Sequence, residues 1–218
     1  MPELLSGITR TVELRVLTLI GALILGLSVF GFSSPLSADV KADSAMEAMK
    51  GTIDQALKVL KDESLKSPEK SRERLKILED IIGKRFDYRE MSKRTLGKHW
   101  RQFSEADQEE FVRLFQRFLS KTYAGNVDGY SGEQVQYLKE RRKGDFAEVQ
   151  TAVTSDKSTA SIYYRLLRSS NTWKVYDVVI DGVSLVKNFR GQFGRIIEAE
   201  SAKGLLEKLR AKTAGSKS

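Results

Sequence analysis

The chain contains no cysteine, one histidine and three prolines among its 218 residues. Without cysteine there is no disulfide framework, no thiolate metal site, no thiol nucleophile and no lipid-modified cysteine. His99 alone cannot build a multi-histidine metal site, and no carboxylate spacing suited to a hard cation takes its place. The glycine-rich phosphate loop G-x-x-x-x-G-K-S/T is also missing, which argues against an ATPase. No metal or cofactor is therefore assigned.

What is present divides the chain in two. Residues Val16 to Phe32 form an uncharged run of 17 residues, preceded by Arg10 and Arg15 and followed by Ser33-Ser34-Pro35-Leu36-Ser37-Ala38. A basic start, an apolar middle and a small-residue end are the layout of a secretory signal peptide, with cleavage expected after Ala38. The run is long for a signal and short for a membrane span, so an uncleaved N-terminal anchor is the alternative. The expected organisation is a signal peptide over 1–38, one domain over 39–213 and a flexible tail over 214–218. The leader carries two acids and two bases, so the remaining 180 residues keep the whole net charge of +8. A basic exported domain is suited to anionic lipid head groups or an acidic partner, and export argues against nucleic acid. Solubility alone also accounts for the excess.

The domain begins helical. Met46, Met49, Ile53, Leu57 and Leu60 recur at three- and four-residue steps behind Ser44, a candidate N-cap. Pro68 is placed to open a second helix carrying Leu75, Leu78, Ile81 and Ile82. Asp87 and Glu90 have capping-pair spacing for a short helix that ends at Gly97. From Ser104, Phe111, Leu114, Phe115, Phe118, Leu119 and Tyr123 fall on one helical face, and Arg113, Arg117 and Lys121 form a basic stripe on another.

After Gly129 the period changes to two. Strands are expected near Gln134–Arg141, Phe146–Thr154, Ala160–Leu167 and Trp173–Ile180, joined by short turns that imply consecutive antiparallel pairing. The inner face would carry Val149, Thr151, Val153, Ile162, Tyr164, Leu166, Val175 and Asp177. A helix then follows with Leu185, Val186, Phe189, Phe193, Ile196 and Ile197, ending in a short piece around Leu205, Leu206 and Leu209. Helices, a meander and a closing helix make an α+β domain with a four-stranded antiparallel sheet packed on helices.

Catalytic groups are scarce. His99 sits among basic residues and suits a structural role better than a nucleophilic triad. Asp177 could point into a cone of helix and curved sheet as an acid or base, but no second titratable group is paired with it. The apolar complement, rich in Phe, Tyr, Met and both Trp between residues 86 and 193, fits either a dry core or an incompletely closed one that takes an apolar ligand. Periodicity does not separate these.

Particular stretches add to the pattern. Arg85-Phe86-Asp87-Tyr88-Arg89-Glu90-Met91, Leu96-Gly97-Lys98-His99-Trp100, the run from Trp173 through Asp181-Gly182 to Leu185, and Asn188-Phe189-Arg190-Gly191-Gln192-Phe193 closely resemble the MlaC family, also called toluene-tolerance auxiliary proteins of ABC transport systems. The likeness covers about Met46 to Leu209. It implies an NTF2-like cone with an apolar pocket between helices and sheet, and a non-enzymatic periplasmic phospholipid carrier that maintains outer-membrane lipid asymmetry. The implied partners are phospholipid, an inner-membrane ABC transporter with an MCE-domain subunit, an outer-membrane lipoprotein–porin complex and, transiently, a membrane surface. The expected lipid-tail contacts are Phe86, Met91, Phe115, Leu119, Tyr123, Val149, Val153, Ile162, Tyr164, Val175 and Val183, with Leu185, Phe189 and Phe193 as the opposing wall. Arg113, Arg117, Lys121 and the Lys139–Lys143 cluster are candidates for membrane or partner docking. The alternatives are a ligand-free periplasmic adaptor linking transporter components, and a small-molecule enzyme using Asp177.

Overall fold

A computed structural model describes residues 44–123, 127, 129–155 and 158–214. The expected leader at 1–38 and residues 215–218 of the expected tail lie outside the described residues.

Helix α1 spans Ala45–Lys61 and starts on Ser44, whose Oγ accepts from the Glu47 N–H at 3.3 Å. A second cap comes from the sheet. Glu140 accepts from the Ser44 hydroxyl at 2.6 Å and from the Met46 N–H at 2.9 Å. It satisfies donors that a helix start leaves orphaned and places negative charge at the positive end of the helix dipole. Pro68 opens only a 3₁₀ turn, Pro68–Lys70, and α2 (Ser71–Arg85) begins after it, so the second helix starts later than expected. Such turns commonly precede α-helices.

Helix α3 spans Tyr88–Leu96 behind Asp87, whose carboxylate accepts from the Glu90 N–H at 2.8 Å. The capping pair is not reciprocal. The Glu90 carboxylate takes the Arg94 Nε at 2.7 Å, and the Asp87 N–H donates to the Val175 carbonyl at 2.8 Å, tying the helix start to the sheet. Gly97 stops α3 with φ +54°, and a 3₁₀ segment, Gly97–Gln102, leads to α4 (Glu105–Tyr123).

Strands β1 (Gln134–Lys143), β2 (Phe146–Thr154), β3 (Thr159–Ser169) and β4 (Thr172–Ile180) form an antiparallel meander. A fifth strand, β5 (Val183–Ser184), pairs back onto β4 and enlarges the expected four-stranded sheet to five. Asp181 and Gly182 make this reversal with φ +48° and +81°, the conformation of a primed hairpin turn. A strand of two residues is too short to register as alternation.

Helix α5 covers Leu185–Thr213 and breaks at Ser201, where φ is +78°, separating the long helix from the short piece around Leu205, Leu206 and Leu209. The closely packed core lies where α4 meets α5. Phe111, Phe115, Phe189 and Phe193 are each no more than 5% exposed, and their ring centroids lie 5.5–5.8 Å apart. The charged stripe of α4 serves the same junction: Arg117 donates to the Thr213 carbonyl at 3.4 Å, and Lys121 to the carbonyls of Lys212 and Ala214 at 3.1 Å each. These two cations cap the end of α5, a structural role that the expected one in docking did not include.

Candidate functional site

The aromatic core where α4 meets α5 is filled, whereas the space that α1 and α2 enclose with α3 and α4 is not. Helices α1 and α2 carry Ile53, Ala56, Leu57, Leu60, Leu75, Ile81 and Ile82, all only partly buried although they form the apolar stripes of their helices. Four of them, Ala56, Leu60, Leu75 and Ile82, line a cavity of about 260 Å³ together with Leu78, Glu79, Tyr88, Ser120, Tyr123 and Val127. At its edge the Ser120 hydroxyl donates to Glu79, the carboxylate in an otherwise apolar lining. Among the described residues no group of metal-ligating side chains gathers, and no helix is long and apolar enough to cross a membrane.

The expected contact residues separate into distinct places. Tyr123 lines the cavity, and Phe86 stacks on the lining residue Tyr88 with ring centroids 5.9 Å apart. Val153, Ile162 and Tyr164 lie partly buried on the sheet face formed by β2 and β3, which pair as Thr151 with Ile162 and Val149 with Tyr164. Met91, Phe115, Leu119, Val149, Val175, Leu185, Phe189 and Phe193 are at most 8% exposed and belong to the packed core. Val183 is 47% exposed at the β4–β5 reversal and stands outside the apolar interior. The lining residues Ala56, Leu60, Leu75, Leu78, Ile82 and Tyr88 were not singled out for the site. Their signal was the helical stripes of α1 and α2, which identify an inward face without telling whether that face is filled.

Asp177 does not face the cavity. The sheet register shifts between Arg165 and Leu166, so Leu166 pairs with Val175 and Arg165 with Asp177, leaving Tyr176 as the extra residue. The bulge turns Asp177 away from the face that Val175 occupies. Its carboxylate, 3% exposed, accepts from the Ser184 hydroxyl at 2.7 Å, the Val186 N–H at 3.0 Å and Arg165 at 3.1 Å. It anchors the start of α5 to β4, and its acceptor capacity is spent on structure. His99 is likewise buried, 7% exposed, with Nδ1 3.3 Å from the Gln102 side chain.

Tyrosines mark the polar points of the interior. Burial pushes the Tyr164 hydroxyl up to about 12. Burial first, and the Glu79 charge second, push Tyr88 up to about 12 as well. Tyr137, opposite Thr151 on β1, is raised by burial and by the nearby Asp54 carboxylate of α1. Because the folded state holds these protons above the unfolded pKa of about 10, their contribution is complete below that pH and is lost as pH rises through about 12. Tyr88 and Tyr164 should each cost about 1 kcal/mol by pH 11. Thermal melts between pH 9 and 12, with phenolate absorbance followed in parallel, should show at least these three tyrosines ionising late and together with unfolding. Phenolates that all appear near pH 10 in folded protein would contradict this.

The comparison with family models matches residues 50–211 to the MlaC protein family. The chain belongs to the MlaC family. A curated member, the intermembrane phospholipid transport system binding protein MlaC of Haemophilus influenzae, is 25% identical over 122 residues, 53% of this chain. The chain spans 57% of that relative's length in the match. A phospholipid-binding protein from Ralstonia solanacearum, solved in complex with a phospholipid, superposes with a TM-score of 0.71 and 26% identity, over 78% of this chain and 97% of its own. The MlaC family match thus runs from within α1 to the last turn of α5 and takes in at least part of every element of the apolar interior.

Proposed function

We propose that this chain is a periplasmic phospholipid carrier that holds acyl tails between the α1–α2 layer and the sheet. The observation that carries the reading is the incompletely filled apolar interior in a fold that another protein uses with a phospholipid bound. In water, two tails of roughly 16 carbons at about 0.8 kcal/mol per CH₂ cost on the order of 25 kcal/mol, so a single lipid does not cross an aqueous gap unaided. A pocket that approaches the affinity of the bilayer permits both loading and release. Charged head groups stay at the mouth, because burying them unpaired is expensive.

The cavity of about 260 Å³ lies below the usual range for ligand pockets, roughly 300–1,000 Å³. Loading would therefore widen this space, with α1 and α2 moving away from α3 and α4 and opening it toward the sheet. Tyr123, Phe86, Val153, Ile162 and Tyr164 then meet the tails together with the α1 and α2 side chains. Lipid passes between an outer-membrane lipoprotein–porin complex and an inner-membrane ABC transporter with an MCE-domain subunit, and the energy input belongs to the transporter. The 1–38 leader directs export. Asp177, committed to three hydrogen bonds, supports a carrier over an enzyme.

The test is native mass spectrometry of the exported protein purified without detergent, followed by lipid extraction. A stoichiometric adduct of phospholipid mass is expected. A folded protein that stays empty after incubation with phospholipid vesicles would replace the carrier with an adaptor that links transporter components.

A further inference from the structure

Two basic stripes are visible in the sequence, and the structure separates them. On α4, Arg117 and Lys121 are consumed in capping α5. On β1 Arg142 is engaged over the Trp173 ring, and the other three cations remain free: among the described residues, Lys139, Arg141 and Lys143 are exposed and make no side-chain hydrogen bond or ion pair. They alternate along the strand and so point to one side. Of the acids nearby, Glu140 and Glu148 are occupied elsewhere, and Asp145, exposed in the hairpin turn after Lys143, is the one that offsets the row. Glu140 caps α1 at 2.6 Å, and Glu148, opposite Arg141 on β2, turns to Arg165 at 3.3 Å.

Apolar side chains flank this row at both ends. Leu138 is 52% exposed, and Phe146, across the hairpin from Lys143, is 46% exposed. The Phe146 ring is held in place edge-on by Tyr176, with centroids 6.2 Å apart. Leu138 is exposed because the β1–β2 register shifts there, between Tyr137 and Lys139. That shift has two consequences. It rotates Glu140 inward toward α1, and it breaks the regular ladder along a strand that has a neighbour on only one side. An edge interrupted by a bulge and lined with cations resists the addition of another protein strand.

We propose that the outer side of β1 and the β1–β2 hairpin tip form a docking face for an anionic lipid surface, with Lys139, Arg141 and Lys143 meeting head-group phosphates and Leu138 and Phe146 seated among them. Mixed cations and exposed apolar side chains are the composition of an interfacial contact, whereas an acidic protein face would call only for the charges. The purpose of such docking rests on the carrier reading, while its geometry does not.

The experiment is vesicle co-sedimentation of the exported protein with phosphatidylcholine alone and with added phosphatidylglycerol, at low and high salt. Each near-surface cation contributes about 1 kcal/mol to binding an anionic membrane, so the triple variant Lys139→Gln, Arg141→Gln, Lys143→Gln should bind the anionic vesicles about a hundredfold more weakly. A control removing the same charge from the exposed face of α5, Lys187→Gln, Arg195→Gln, Lys203→Gln, should stay within a few-fold of wild type. Leu138→Ser with Phe146→Ser should remove the binding that survives high salt. Equal losses in both triple variants would overturn the proposal in favour of diffuse net charge. Indifference of the wild-type protein to phosphatidylglycerol, with retention on a polyglutamate matrix, would overturn it in favour of an acidic protein partner. Lipid occupancy is read by native mass spectrometry in the same samples. Empty protein that docks sinks only the carrier reading, and loaded protein that ignores anionic vesicles sinks only this one.

Discussion

Phe193→Ala should destabilise the protein by about 4 kcal/mol, the upper part of the usual range for truncating a buried aromatic. Phe193 is 1% exposed and touches three other rings: edge-on to Phe111 at 5.8 Å and to Phe115 at 5.7 Å, and stacked on Phe189 at 5.5 Å. Removing it loses the burial of the ring and leaves a void, because its neighbours on α4 and α5 are fixed by their own contacts with Phe118 and Phe103. Urea unfolding of delipidated protein should show the midpoint falling with little change in slope. This outcome would place Phe193 in the fold's core instead of among the expected lipid contacts. A loss below about 1.5 kcal/mol combined with loss of bound lipid would mean that the ring faces the ligand.

The elements themselves were legible because each repeats its signal. The apolar steps of α1 and α4 and the alternation of β2 to β4 extend over many residues, so an error at one position does not displace them. Single-residue events were not legible. The bulge at Tyr176 reversed the side on which Asp177 lies, and the Asp181-Gly182 reversal produced a strand of two residues and left Val183 exposed. The distinction between the α1–α2 stripe and the α4–α5 stripe was hidden for another reason. Both are apolar at helical spacing, and only the tertiary arrangement shows that four phenylalanines close one gap while leucines, isoleucines and an alanine leave the other incompletely filled. Large aromatic residues therefore drew the site toward the core, and smaller aliphatic ones turned out to surround the cavity. The same holds for charge. Arg117 and Lys139 both read as exposed cations, and only the end of α5 distinguishes them.

The alanine in that incompletely filled layer supplies the second strong prediction. Ala56 lies on the cavity wall, and Ala56→Trp would direct an indole into a space of about 260 Å³ bordered by Leu60, Leu78 and Ile82. In a close-packed core such a change costs about 1–3 kcal/mol through overpacking. Here there is room for the ring, so stability should change by less than about 1 kcal/mol, and burying indole surface could raise it. Lipid binding should respond quite differently. With its volume taken by the ring, the interior cannot accept tails unless α1 moves still further, against the cap that Glu140 places on its first turn. Phospholipid recovered with the purified variant should fall at least tenfold, a loss of at least about 1.4 kcal/mol in affinity. The two variants thus form a crossed pair. Phe193→Ala weakens the fold, and Ala56→Trp empties the pocket while the fold persists. If Ala56→Trp protein is folded and still carries a full complement of phospholipid, the tails lie elsewhere, and the space between α1 and α2 is only a packing defect.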